Sequence, residues 1–449
     1  MLTDYQILQR NPQGFAGADM EGAMLPPKDG VPYTAAYLCA FSEDDNTPVT
    51  AWLPCQVADG RWFIHFTLPQ GGLYRVEVRV LPENTDVEWG FCVAMVHHVG
   101  VGEVYLLTGQ SNMSGYSRDI AYDPAELGVH MYANDGVWKL ACHPLNDPTG
   151  TIYPENAEYC SGASPALSFG RAMRRFLHVP IGLVPCALGG SCISQWHPLE
   201  KGDLYRGMMR RLPIVGSVSA VIWYQGCHNA CTSLEDAQSY RARFESMVHL
   251  WREQLGDVPF VTVQINRYAF APTLEKDRRW GTLRQAQLDA MRNLSKVCMV
   301  SSSDIPLDDP IHSSAGGCVM LGERMAQALM ALTNEAYADR QAPYIVRAVR
   351  TGEDTVLLIP QRPFVLRIVD EAGLDFSLED EQGLCSCRAI THRPFGRESE
   401  GLVLTFERPI AGSARVHGGW RANVTVGMPR NLYGMPLCSF YDLPVEEQD

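Results

Sequence analysis

Hydrophobic and polar positions along this chain follow two different rhythms. From Leu73 to Val80, Tyr74, Val76, Val78 and Val80 alternate with Arg75, Glu77 and Arg79. A period of two places one side of a strand in a core and the other in water. Trp62 to Leu68 alternates in the same way, and Gly71-Gly72 between the two runs signals a hairpin. No helical period precedes about Val99, so residues 1–99 read as an N-terminal antiparallel β-sandwich.

From about Gly100 the rhythm changes. Continuously apolar runs at Val104–Thr108, Ile181–Ala187, Val218–Trp223, Phe260–Ile265 and Val297–Ser302 suit a parallel sheet covered on both faces. Amphipathic segments lie between them. In Leu234–Leu255 the residues Phe244, Met247, Val248, Trp251 and Leu255 form one stripe, with Thr232 and Glu235 as a capping box and Gly256 as the stop. A last helix is expected near Leu321–Leu332. Repeated β-then-α units imply right-handed crossovers and a three-layer α/β domain over 100–335. In such sheets the chemistry gathers at the loops leaving the carboxyl ends of the strands.

Thr333–Pro343 is polar and reads as a linker. Beyond it, strands at Thr355–Ile359, Phe364–Val369 and Leu402–Phe406, with turns at Asp375–Gly383 and Gly418-Gly419, predict a C-terminal β module over 344–449.

Composition narrows the function. The 449 residues carry 37 Lys and Arg against 51 Asp and Glu, a formal net charge of −14. That field repels phosphate backbones and anionic lipid, so neither nucleic acid nor a membrane is an expected partner. No apolar run approaches the ~20 residues of a membrane span. Asp4, Gln6, Gln9, Arg10 and Asn11 stand where a secretory peptide needs an apolar centre. With 14 cysteines read as thiols of a reducing compartment, the expected location is the cytoplasm. The oligomeric state has no signature in the chain.

Four strand-end loops carry candidate chemistry. The first is Thr108-Gly109-Gln110-Ser111-Asn112-Met113, a serine on a tight turn into a helix, where its own N–H faces a developing anion. Alone, this pattern far more often marks a helix cap. The second, Gly189-Gly190-Ser191, lets backbone N–H groups approach a substrate. The third is Trp223-Tyr224-Gln225-Gly226-Cys227-His228-Asn229, whose asparagine can offer an amide to an oxyanion. The fourth is Asp309-Pro310-Ile311-His312, where the carboxylate reaches the imidazole it precedes and fixes its tautomer. Asp308 and Asp304 compete with Asp309 for that role. Together the loops supply nucleophile, base, orienting acid and oxyanion donors.

These segments, with Ile193, Trp196 and Trp280-x-x-Leu283-Arg284-x-x-Gln287, resemble the SGNH hydrolase superfamily, most closely its sialate O-acetylesterase-type carbohydrate acetylesterases. The resemblance implies a three-layer, flavodoxin-like parallel-sheet hydrolase domain flanked by β modules. It places Ser111 as nucleophile, His312 as base and Asp309 as orienting acid, with the oxyanion held by Ser111, Gly190 and Asn229. Gln110, Gln225, His228 and Trp196 are the expected substrate contacts. Two departures from the pattern stand out: Cys227-His228 where relatives usually have Glu-Ser, and Ser313 where they tend to have proline.

Cys227, His228 and Cys231 supply too few ligands for zinc, and no Gly-Lys-Ser/Thr follows Gly109-x-Ser111, so neither metal nor cofactor is expected. The expected partner is an O-acetylated sugar or oligosaccharide. Acetylated sialic acid is the leading substrate, with Arg267 and Arg278 as possible counter-charges. Acetylated xylan or mannan oligosaccharides are the alternative, and a sugar-binding protein without catalysis is a third reading.

Overall fold

The computed structural model describes residues 1–28, 30–157, 162–362, 366–368, 375–395, 398–424 and 428–447, with side chains omitted for 393–395 and 398–400. At the N-terminus two sheets face each other. One joins Phe15–Ala23, Arg61–Pro69 and Gln56–Ala58, and the other joins Tyr33–Ser42 and Gly71–Pro82 to the first half of β1 (Phe91–Gly109). Trp62, Ile64, Phe66 and Leu68 from one sheet and Tyr74, Val76, Val78 and Val80 from the other share one core. Gly71-Gly72 therefore does not turn a hairpin. Arg61–Pro69 and Gly71–Pro82 lie in different sheets, and both glycines take positive φ as the chain crosses between them. Because both runs aim their apolar side inward, pairing them across sheets buries both at once.

β1 is 19 residues long and runs from the N-terminal sheet into the centre of the next one. Its second half pairs in parallel with β3 (Ile181–Pro185) on one side and β4 (Ala220–Tyr224) on the other. β2 (Val129–Tyr132) lies outside β3, while β5 (Phe260–Gln264) and β6 (Val297–Ser301) continue beyond β4. Strand order thus reverses at β1, and in open parallel sheets the crevice above such a reversal is where ligands bind.

Neighbouring residues of these strands enter opposite cores. Tyr105 and Leu107 pack towards α2 (Pro165–Leu177) and α6 (Ala315–Thr333), whereas Val104 and Leu106 pack towards α4 (Leu234–Leu255) and α5 (Leu274–Asn293). Ser233, not Thr232, caps α4: its hydroxyl accepts the Asp236 N–H, because the first turn begins one residue later than the capping box implies. α6 starts six residues before Leu321, capped by Ser314 immediately after the His312 loop.

Among the described residues, seven C-terminal strands, from Ile345–Arg350 to Phe440–Glu446, close a barrel. Asp375–Gly383 is not one turn: Phe376–Asp380 is a strand with Phe376 and Leu378 buried, and the turn residues are Asp375 before it and Glu381 and Gln382 after it. Of the strand expected at Phe364–Val369, residues 364, 365 and 369 lie outside the described residues, and Arg367 forms only an isolated bridge with Arg430. The polar stretch before the barrel contains a 3-10 helix, Glu335–Arg340.

The barrel is bolted to the sheet beside the crevice. Gln264 exchanges two hydrogen bonds with the Ser439 backbone, at 2.7 and 2.8 Å. Arg284, fully buried, donates to the carbonyls of Gly419 and Arg421 in the barrel and of Ile265 and Asn266 in the sheet domain. Burial without a carboxylate partner pulls its pKa down to about 10.

Candidate active site

β1 ends at Gly109 and the chain turns into the short helix α1 (Ser111–Ser114). The turn needs glycine: Gly109 has φ +128°, and a Cβ there would lie 2.2 Å from the Tyr224 carbonyl oxygen of β4. Ser111 is thereby the first residue of a helix at the point where the strand order reverses. Its Oγ is 3.0 Å from His312 Nε2, and His312 Nδ1 is 2.6 Å from Asp309 Oδ2. The second Asp309 oxygen accepts the backbone N–H groups of Ile311 and His312, both at 2.8 Å. Partial burial pushes this carboxyl up, but the hydrogen bonds from the His312 ring and from those two N–H groups outweigh it and hold the pKa below the ordinary Asp value. A lone carboxylate acceptor on Nδ1 leaves Nε2 to face the serine.

The competing carboxylates are engaged elsewhere. Asp304 grips Arg324 with both oxygens, at 2.6 and 2.8 Å, and Asp308 accepts the backbone N–H of Arg118 at 2.6 Å.

Several side chains hold the histidine loop. Asn112 accepts the Ser313 N–H at 2.9 Å and donates to the Ile311 carbonyl at 3.1 Å. Asn266 donates to that same carbonyl at 2.9 Å, and its own carbonyl is held by Trp280 Nε1 and Arg284. The ring of Tyr116 stacks on the imidazole, centroids 4.8 Å apart. A proline at position 313 has no N–H to give Asn112, so the Ser313 departure comes with a tether of its own.

Gly190 has φ +64° and faces open space, with no atom within 4 Å of a Cβ placed there. Among the described residues, no acceptor is bonded to the N–H of Ser111 or of Gly190. Asn229 is fully buried in α3 (Cys227–Thr232). Its Oδ1 accepts from Gln225 Nε2 at 2.7 Å and from the Ile193 N–H at 3.3 Å, while Nδ2 donates to Asp236 at 2.7 Å. One amide N–H is therefore committed and one is left.

Three of the four residues expected to touch substrate are buried. Trp196 packs among Trp223 and Trp251 and bonds Ser191 Oγ; Gln225 bonds Asn229 and the Ser191 carbonyl; Gln110 accepts the N–H groups of Gly226 and His228. Each shapes the loops from beneath. His228 alone is exposed, on a cavity of about 400 Å³ that also includes Cys192, Ser194, Asn229, Asp236 and Arg243. Cys227 is buried, with its thiol pushed up to about 12 by burial, and is not a reactive group.

A family model described as carbohydrate esterase, sialic acid-specific acetylesterase, matches residues 101–331, half of the chain. The chain belongs to this family. The esterase is also 28% identical over 252 residues to a probable carbohydrate esterase of Arabidopsis thaliana, spanning 51% of this chain and 90% of that relative. A solved carbohydrate acetylesterase from Xanthomonas citri has the same fold across 98% of this chain and 97% of its own, at 22% identity and a TM-score of 0.66. The esterase is thus a carbohydrate acetylesterase of the SGNH type.

Proposed function

We propose that this esterase removes O-acetyl groups from sugars through a Ser111–His312–Asp309 triad. The single observation that carries the reading is the unbroken relay Ser111 Oγ, His312 Nε2, His312 Nδ1, Asp309 Oδ2, with contacts of 3.0 and 2.6 Å. Ser111 Oγ attacks the acetyl carbonyl as His312 takes its proton, and Asp309 stabilises the imidazolium. The tetrahedral oxyanion receives the N–H groups of Ser111 and Gly190 and the free N–H of Asn229, each worth about 2.7–4 kcal/mol of barrier. His312 then protonates the departing sugar oxygen, leaving an acetyl-serine. Water deprotonated by His312 attacks that ester, and acetate leaves as Ser111 regains its proton.

Acetylated sialic acid is the substrate this reading puts first. Its carboxylate calls for a cation, and Arg118, on the loop leaving α1, is exposed and forms no ion pair among the described residues. Of the two arginines singled out in the sequence, Arg278 pairs with Glu379, while Arg267 donates to the Ile305 carbonyl and, like Arg118, forms no ion pair among the described residues. A neutral acetylated oligosaccharide, of the xylan or mannan kind, is the second reading, and Phe270 favours it. This ring is 58% exposed and backed by Tyr268 and then Trp280, on a loop whose Ala269 N–H bonds the Pro310 carbonyl of the histidine loop. Such a platform suits stacking against a sugar face.

Acetate release from acetylated sialosides and oligosaccharides tests the reading. Ser111→Ala should abolish release with the melting temperature unchanged. Wild-type rates in that variant would refute the mechanism.

A further inference from the structure

Asn229 is held by a carboxylate that none of the triad roles requires. Asp236 lies in the first turn of α4, where its own N–H bonds the Ser233 cap at 3.0 Å. One carboxylate oxygen accepts Asn229 Nδ2 at 2.7 Å, and the other accepts Arg243 Nη1 at 2.8 Å. Arg243 in turn is clamped by Glu200, at 2.9 and 2.5 Å. On the opposite edge of the amide, Oδ1 is pinned by Gln225 and the Ile193 N–H. All three attachments together fix the amide plane and leave one N–H uncommitted.

We infer that Asp236 is a positioning residue for the oxyanion hole, aiming the free N–H of Asn229, and that Arg243, shared with Glu200, offsets part of the charge this brings near the reacting carbonyl. The inference rests on the oxyanion role given to Asn229 above. A donor contributes to the transition state only when it is oriented before charge develops. Without Asp236 the amide keeps its Oδ1 partners but loses the bond that fixes Nδ2. An unpaired carboxylate close to a forming oxyanion opposes it, since like charges in a partly buried site interact strongly. Arg243 meets that charge directly. Asp236 thus stands to Asn229 as Asp309 stands to His312: neither touches the substrate, and each fixes a group that does.

The test is a double-mutant cycle on acetate release by the full-length protein, with kcat and KM measured separately. Asp236→Ala should lower kcat by roughly tenfold to a hundredfold, less than the loss in Asn229→Ala, with KM unchanged. Asp236→Asn, which keeps an acceptor without the charge, should restore most of kcat. In the Asn229→Ala background, Asp236→Ala should cost nothing further in kcat. Arg243→Met should lower kcat, and adding Asp236→Asn should recover it. A raised KM at intact kcat would overturn the inference in favour of a direct sugar contact by Asp236. An equal further loss in the Asn229→Ala background would overturn it in favour of a purely structural role. Asn229→Ala at wild-type kcat would remove the oxyanion assignment itself, and the positioning role with it.

Discussion

The side chain of Asn112 accepts the backbone N–H of Ser313 at 2.9 Å, tying the residue after Ser111 to the residue after His312. The two halves of the proposed relay come from segments two hundred residues apart, and this bond, with the second one from Asn112 to the Ile311 carbonyl, sets their spacing. Asn112→Ala should lower kcat by about a hundredfold, the usual cost of displacing a reacting group by about 1 Å. Ser313→Pro, which removes the same N–H, should cost a similar factor. Steady-state kinetics on 4-nitrophenyl acetate checks both; full activity in either variant would show that the tether is dispensable.

Three aspartates surround the histidine loop, and only Asp309 bonds the ring. Asp309→Asn should reduce kcat by roughly 10²–10⁴, since the imidazole loses the acceptor that sets its tautomer. Asp308→Asn should stay within a few-fold of wild type. Equal losses in the two variants would place the orienting acid elsewhere.

Arg118 and Phe270 separate the substrate classes. If acetylated sialic acid is the substrate, Arg118→Gln should raise its KM by about tenfold, the value of a charge-assisted hydrogen bond worth ~1.5 kcal/mol, and leave 4-nitrophenyl acetate untouched. Phe270→Ala should raise KM for acetylated xylo- or manno-oligosaccharides, again sparing the small ester. A panel in which neither variant changes any sugar KM would remove both rim assignments.

Two buried histidines predict how stability depends on acidity. His130 fits its site neutral: Nδ1 faces the Tyr5 carbonyl at 2.8 Å and Nε2 accepts the Gly128 N–H at 3.2 Å. Burial pulls its pKa down to about 4, and that of His417 likewise to about 4. Below the ordinary His value of 6.5 the unfolded chain binds protons that the folded one refuses. Stability from these sites is therefore full above about pH 6.5 and lost as pH falls to 4, by about 3 kcal/mol for each histidine. Melting temperature measured from pH 7 to pH 4.5 should fall, and His130→Gln should flatten the decline. Parallel curves for variant and wild type would contradict this.

Much of the site was legible because its chemistry fixes short-range patterns. A glycine two positions before Ser111 and a carboxylate three before His312 are local requirements of a tight turn and a loop-internal hydrogen bond. Gly109 and Asp309 meet them in the structure. Residues acting across the fold left no such trace. Asn266 reaches the Ile311 carbonyl from the end of β5, and Asp236 reaches Asn229 from the next helix. Their partners become visible only when the strands are ordered. Motif membership does not report exposure: Trp196, Gln225 and Gln110 sit beside the proposed reactive residues in sequence, yet all three are buried and make packing contacts or loop hydrogen bonds. The same holds for Gly71-Gly72, where two alternating runs look like a hairpin but belong to facing sheets. Periodicity reports which side of a strand is buried, not which neighbour it pairs with.

The most direct test of the account is where a serine-directed fluorophosphonate attaches. Mass spectrometry of peptides from the inactivated esterase should find one phosphonyl group, on Ser111, in proportion to the activity lost, and none after Ser111→Ala. Activity lost with the label on another residue, or fully retained with Ser111 labelled, would contradict it.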